Sequence, residues 1–401
     1  ILQLYNVGRM DCRIRKNKLE ISLGAVESKS NLSGSITGFP VNPGENILSG
    51  LLKSNIKNSK VVFYLQKDKI VSYNLTSQEK FEREIEDVRF LVPAVVTDRA
   101  DKDSPCLWAV TSDGTVYLVN EKLTDSKGFP KMTGFVPASG GTASKNGLIY
   151  NAKNCSLIMI TPDGNITQTQ IDAFDSISSV PVYVSGSFEK NPYSASILYE
   201  RSFMGGLHVV HDSGDEEFFP LDGLGFGSPD VVKTNNGFIA GFISQSGKVT
   251  FTNLSGSLPS QVSYDLEGVF YQNLRKCENS FIALSGDGYV YRIDMDYLSG
   301  ELYKPGNISH EVWKNAVSKI KIPYFTARKG EVFVCDFDLD GYEELFVCGD
   351  GNLIFGFRSN LEMIGNFPVT GYGKPLFVDL DGDNKNDAVT LSLDNKINAW
   401  H

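Results

Sequence analysis

The feature that most constrains this 401-residue chain is a rhythm. Apolar runs rich in β-branched and aromatic residues recur, each broken by a tight Gly, Asp or Asn turn and followed by an alternating run. They are VVFYLQKDKIVSYNL (61–75), LWAVTSDGTVYLV (107–119), SLIMITPDGNITQT (156–169), FIAGFISQSGKVTFT (238–252), FIALSGDGYVYRI (281–293), ELFVCGDGNLIFGF (344–357) and DAVTLSLDNKINAW (387–400). Each has the form of a β-hairpin. The turn residues Asp68, Asp113, Asp163, Gly247, Asp287, Asp350 and Asp394 are separated by 45, 50, 84, 40, 63 and 44 residues. The step of 84 is two periods, with a further turn expected at Gly205-Gly206 in ILYERSFMGGLHVV (197–210).

Units of about 40–45 residues, each four antiparallel strands, predict an all-β fold, a β-propeller of eight blades, with seven as the alternative. The whole of 1–401 reads as one propeller domain carrying an insertion at 294–332. A second marker, GFPVNPG (38–44), GFPKMTG (128–134), FFPLDG (218–223) and NFPVTGYG (366–373), is placed between an outer strand and the next unit. Its first copy has no hairpin of its own before it, and the C-terminus stops after a third strand. The N-terminal segment is therefore expected to supply the missing outer strand of the last unit, closing a ring without open edges. Helical spacing is confined to SHEVWKNAVSKIKI (309–322), inside the insertion.

Two segments raise a chemical question. DFDLDGYEE and DLDGDNKND place Asp336, Asp338, Asp340 and Glu344, and again Asp379, Asp381, Asp383 and Asp387, at positions 1, 3, 5 and 9 of a loop between apolar strands. Tyr342 and Lys385 at position 7 offer a backbone carbonyl. Calcium takes about six to eight oxygen ligands, which four carboxylates, a carbonyl and water supply. An EF-hand fits poorly: position 12 is Val347 or Thr390, and the flanks are strand-like. Zinc would call for His or Cys. The alternative is a pair of acidic turns bonding their own backbone, but the repetition in register favours two calcium sites. TDRADKDSP (97–105) and SGSFEKNPY (185–193), at the equivalent place in other units, lack the pattern.

These two loops resemble the FG-GAP and VCBS repeats of integrin-α-like β-propellers. The resemblance covers the last two units and implies that Ca2+ there is structural, bracing a peripheral loop. Most other units lack the motif.

The remaining residues carry little chemistry. His208 and His211 point to opposite faces of a strand, and no nucleophile motif, P-loop or H-E-x-x-H occurs. No catalytic residue is expected. A net charge of −10 disfavours nucleic acid as a partner, and no apolar run approaches the roughly 20 residues of a membrane span. The six cysteines lack C-x-x-C spacing and read as buried thiols. Sequons occur at Asn31, Asn74, Asn154, Asn165, Asn253 and Asn307. The chain opens without Met or a signal-peptide layout, and reads as a monomeric part of a larger or processed protein.

The function expected is a non-enzymatic, calcium-braced module that binds a protein or glycan in a secreted, periplasmic or cell-surface setting. Weak calcium loops suit extracellular calcium. The insertion is the expected contact, through Trp313, Tyr324 and Phe325 among Lys319, Lys321 and Arg328. The alternatives are an envelope assembly scaffold and, by analogy of fold alone, a carbohydrate-active enzyme, a polysaccharide lyase or glycoside hydrolase.

Overall fold

A computed structural model describes residues 7–15, 18–25, 36–54, 56, 59–97, 103–144, 146–171, 180–184, 193–199, 205–211, 216–221, 228–234, 237–254, 261–302, 309–322, 325, 330–349, 352–365 and 367–400. The chain forms a β-propeller of four-stranded antiparallel blades. Seven such blades span 52–84, 88–132, 137–170, 182–221, 230–265, 275–321 and 331–370, each with its strands in sequence order. The expectation of eight is corrected. The last unit, Tyr372–Val378, Asp387–Leu391 and Ile397–Trp400, is a three-stranded sheet.

Burial explains why the sequence alternates in some strands and not in others. Second strands lie between two neighbouring sheets and are apolar on both faces: all of Gly237–Ile243 and Ser280–Leu284 is buried. Fourth strands meet solvent on one side and alternate, as Lys80–Glu84 does. The interfaces between sheets are continuous apolar clusters. Val62, Tyr64 and Val71 of the first blade share one with Val389, Leu391 and Ile397 of the last sheet. Here Val41 and Ile397 exchange hydrogen bonds of 2.9 Å in both directions, and the Ile36 N–H donates to the Ala399 carbonyl at 3.3 Å.

Several details differ from the sequence reading. Asp163 lies between the third and fourth strands of its blade. The turn equivalent to the others is at Lys153–Cys155, between Gly147–Ala152 and Ser156–Ile160. That displacement lengthened the apparent step to 50 residues. Gly205 and Gly206 are in a strand, Gly205–His211, not a turn. Two copies of the Phe-Pro marker precede the fourth strand instead of following it, Pro130 leading into Lys131–Met132 and Pro368 into Val369–Thr370, while Pro220 lies within the fourth strand Glu216–Leu221. The peptide bonds Phe39–Pro40, Phe129–Pro130 and Phe367–Pro368 are cis. Pro40 leads into Val41, which bridges to Ile397. A two-stranded hairpin, Val7–Arg15 with Lys18–Ala25, precedes the first marker, where the sequence reading expects none.

The insertion is mostly structural. Met295–Leu302 and His310–Ala316 are short helices, the second capped by Ser309, whose hydroxyl accepts the Val312 N–H at 3.3 Å. Val317–Lys321 then pairs with Tyr289–Asp294 as the fourth strand of the sixth blade. The helical periodicity of 309–322 therefore ends at Ala316.

Candidate metal loops

Each acidic loop joins the first and second strands of its sheet. The pairing Cys335↔Glu344 closes one loop and Val378↔Asp387 the other, so the last acid is already a strand residue. The two loops match position by position. Left-handed backbone occurs at positions 4 and 6 in both: Leu339 (φ 61°) and Gly341 (φ 92°), then Gly382 (φ 87°) and Asn384 (φ 66°). The position 1 carboxylate accepts the N–H of position 6, Asp336 from Gly341 and Asp379 from Asn384, at 3.1 Å each. The position 9 carboxylate accepts the N–H of position 2, Glu344 from Phe337 at 2.7 Å and Asp387 from Leu380 at 2.8 Å.

These bonds turn oxygens toward a common point. One oxygen from each of Asp336, Asp338 and Glu344 lies within 4.8 Å of the others, and the same holds for Asp379, Asp381 and Asp387. Asp340 and Asp383 are not in these groups. Each accepts the N–H two residues on, from Tyr342 and Lys385, at 2.8 Å. Tyr342 and Lys385 are exposed.

Burial makes the first cluster electrostatically costly. Glu344 is 2% exposed. Its burial, with Asp338, Asp340 and Asp336 adding like charge against the help of the Phe337 N–H, pushes its carboxyl up to about 7. Asp336 Oδ1 is buried without a hydrogen-bond partner. A self-bonded acidic turn accounts for the other contacts but leaves this oxygen without one. The donor set, all carboxylate and carbonyl oxygen, fits a hard divalent cation.

Three contacts that sequence spacing could not show tie the loops to their surroundings. Asn386 Nδ2 donates to the Phe337 carbonyl at 2.8 Å, joining the second loop to the first. Lys60 Nζ of the first blade donates to the Leu380 carbonyl at 3.1 Å. On the other side, the Glu278 N–H donates to Glu343 Oε2 at 2.6 Å.

The aromatic residues expected to bind a partner are largely drawn inward. Trp313 is buried and stacks on Tyr264, with ring centres 4.5 Å apart and planes 17° apart. Phe325 is buried edge-on to Phe355 at 5.7 Å. Lys319 pairs with Glu267 at 3.0 Å, and Lys321 lies 4.3 Å over the Tyr289 ring. Tyr324 and Arg328 lie outside the described residues, as do most of 97–105 and 185–193. His208 is buried. Asn253 is buried too, so the fold removes that sequon from use, whereas Asn154 and Asn165 are exposed. Among the described residues, Cys106, Cys155, Cys277 and Cys348 are buried and Cys335 is half-buried. The offset of Cys335 from Cys348 across the hairpin is four residues, since Cys348 pairs with Glu331.

No family model and no curated protein matches the sequence. Solved structures do match its fold. BamB from Moraxella catarrhalis is 10% identical with a TM-score of 0.56, over 92% of this chain and 99% of that one. The Dos1 propeller is 10% identical with a TM-score of 0.55, over 88% and 93%. The dihydro-heme d1 dehydrogenase NirN, solved in complex with DHE, is 14% identical with a TM-score of 0.53, over 81% and 67%. At such identities the likeness establishes the propeller fold alone. Among the described residues, no helix is long and apolar enough to cross a membrane.

Proposed function

We propose that this chain is a non-enzymatic binding module, a propeller braced by two calcium ions, that engages a protein or glycan outside the cytoplasm. The observation carrying it is the convergence of Asp336, Asp338 and Glu344, and of Asp379, Asp381 and Asp387, in two loops matched position by position. The buried oxygen of Asp336 lacks any other partner, which supports an ion there. Asp340, Asp383 and the carbonyls of Tyr342 and Lys385 complete the sets on the sequence pattern. When bound, calcium neutralises the carboxylates and ties both strands of each loop together. The backbone bonds described above aim the carboxylates, and the bound ion completes their ordering.

In this reading the N-terminal segment at 36–41 takes the outer position of the last, three-stranded sheet and so closes the ring. The two-way bonding of Val41 with Ile397 supports this. A rigid closed disc presents side chains on its rim without needing a reactive centre, and general resemblance to FG-GAP and VCBS propellers agrees with that role. The test is calorimetry of the chelator-treated chain with Ca2+, followed by capture of glycans and proteins from an extracellular fraction with and without chelator. Uptake of two ions, with capture lost on chelation, is the expected result. Absence of calcium uptake at millimolar concentration overturns the reading.

A further inference from the structure

Resting on the calcium reading, we infer that the two loops bind their ions cooperatively, with Phe337 and Asn386 as the link between them. Phe337 occupies position 2 of the first loop and reaches three ways. Its N–H donates to the ligand Glu344 at 2.7 Å. Its carbonyl accepts from Asn386 Nδ2 at 2.8 Å, and Asn386 adjoins the ligand Asp387 of the second loop. Its ring packs against Phe377 at 4.9 Å, two residues before the ligand Asp379. One residue thus touches a carboxylate of one site and both flanks of the other.

An ion in either loop fixes that loop's backbone. Fixing 379–387 holds Asn386 and Phe377 in place, and these hold the Phe337 peptide in the orientation that aims Glu344. The ordering cost is then paid in part by the first ion, so the second binds more tightly. Direct repulsion between the two cations opposes this. It acts among exposed acids such as Asp338, Asp381 and Asp383 and is screened at physiological salt over about 8 Å. The Asn386–Phe337 bond is half-buried and is not screened in that way.

The experiment is calorimetric titration of the full chelator-stripped chain with Ca2+ at physiological ionic strength, comparing the wild type with Asn386→Leu, Asn386→Ala and Asp381→Asn. In the wild type the second ion binds more tightly than independent equal sites allow, on the order of fivefold, the worth of one typical hydrogen bond. Asn386→Leu and Asn386→Ala each still take two ions but lose that excess. Asp381→Asn takes one ion, in the first loop, weakened by a similar factor, since coupling is reciprocal. Melting in chelator checks that each variant is folded, and two substitutions at 386 guard against one failing. An unchanged ratio of stepwise affinities in both Asn386 variants overturns the coupling while leaving two calcium sites intact. A wild type that takes no calcium overturns the calcium reading itself, and the coupling with it.

Discussion

Val41 and Ile397 hydrogen-bond to each other twice, each N–H to the other's carbonyl at 2.9 Å, although they come from opposite ends of the sequence. Proline at 41 would remove one donor and strand a carbonyl at an apolar seam. Val41→Pro is expected to cost about 1–3 kcal/mol, read as a lower urea midpoint at an unchanged slope. A variant as stable as the wild type would show that this joint contributes little.

Calcium should stabilise the fold by mass action. At about 100-fold excess over its dissociation constant, each bound ion adds about 2.7 kcal/mol. Glu344→Gln and Asp387→Asn should each forfeit roughly one ion's share of the rise in melting temperature. Equal calcium-dependent shifts in wild type and both variants would refute the ligand assignment.

The buried Glu344 carboxyl gives the metal-free chain a pH signature. Its folded value, about 7, lies above the ordinary glutamate value of 4.5. The folded state therefore holds a proton that the unfolded state has released. In chelator, stability should fall as pH rises from about 4.5 through 7 and then level off. Glu344→Gln should flatten that slope. With calcium present, the ion must displace the proton below pH 7, so calcium binds more weakly at pH 6 than at pH 8. A slope of the opposite sign, or none, in the wild type would show that Glu344 is not burdened in this way.

Trp313 serves the apolar seam between the fifth and sixth blades. It lies among Phe251, Tyr264 and the helix residue Leu298. Trp313→Ala should cost about 3–5 kcal/mol, measured by denaturant unfolding, and Trp313→Phe clearly less. A neutral Trp313→Ala would return this residue to the surface role the sequence suggested.

The Cys277 thiol, pushed up to about 12 by burial and by Glu343 and Glu278 nearby, should resist a thiol-specific reagent at pH 8 and react only on unfolding. Rapid labelling of Cys277 in the folded chain would contradict the burial.

The hairpins were legible because continuous apolar second strands and alternating outer strands leave different residue patterns. The convergence of positions 1, 3 and 9 was legible in the spacing of the acids, but not that position 5 bonds its own backbone instead. The Trp313 error has a clear cause. An aromatic among lysines reads the same whether it faces a partner or stacks on Tyr264, and the difference lies 49 residues away in sequence. The hairpin at 7–25 was missed despite a signal, the alternation Met10, Cys12, Ile14 and Leu19, Ile21, Leu23, because it lies outside the regular spacing. The blade that slipped by one strand did so because Asp163-Gly164 has stronger turn chemistry than Lys153-Asn154. Nothing local marks Lys60 or Asn386: their partners are carbonyls, which every residue has.

Lys60 places its ammonium on the Leu380 carbonyl, within the last acidic loop, and Lys53 reaches the Phe377 carbonyl of the same sheet. The first blade and the last sheet are thus stitched together beside an acidic turn. Stripping the cation proposed at 379–387 would slacken that stitch, so hydrogen exchange in chelator should begin at Val41 and Ile397 and spread outward from there.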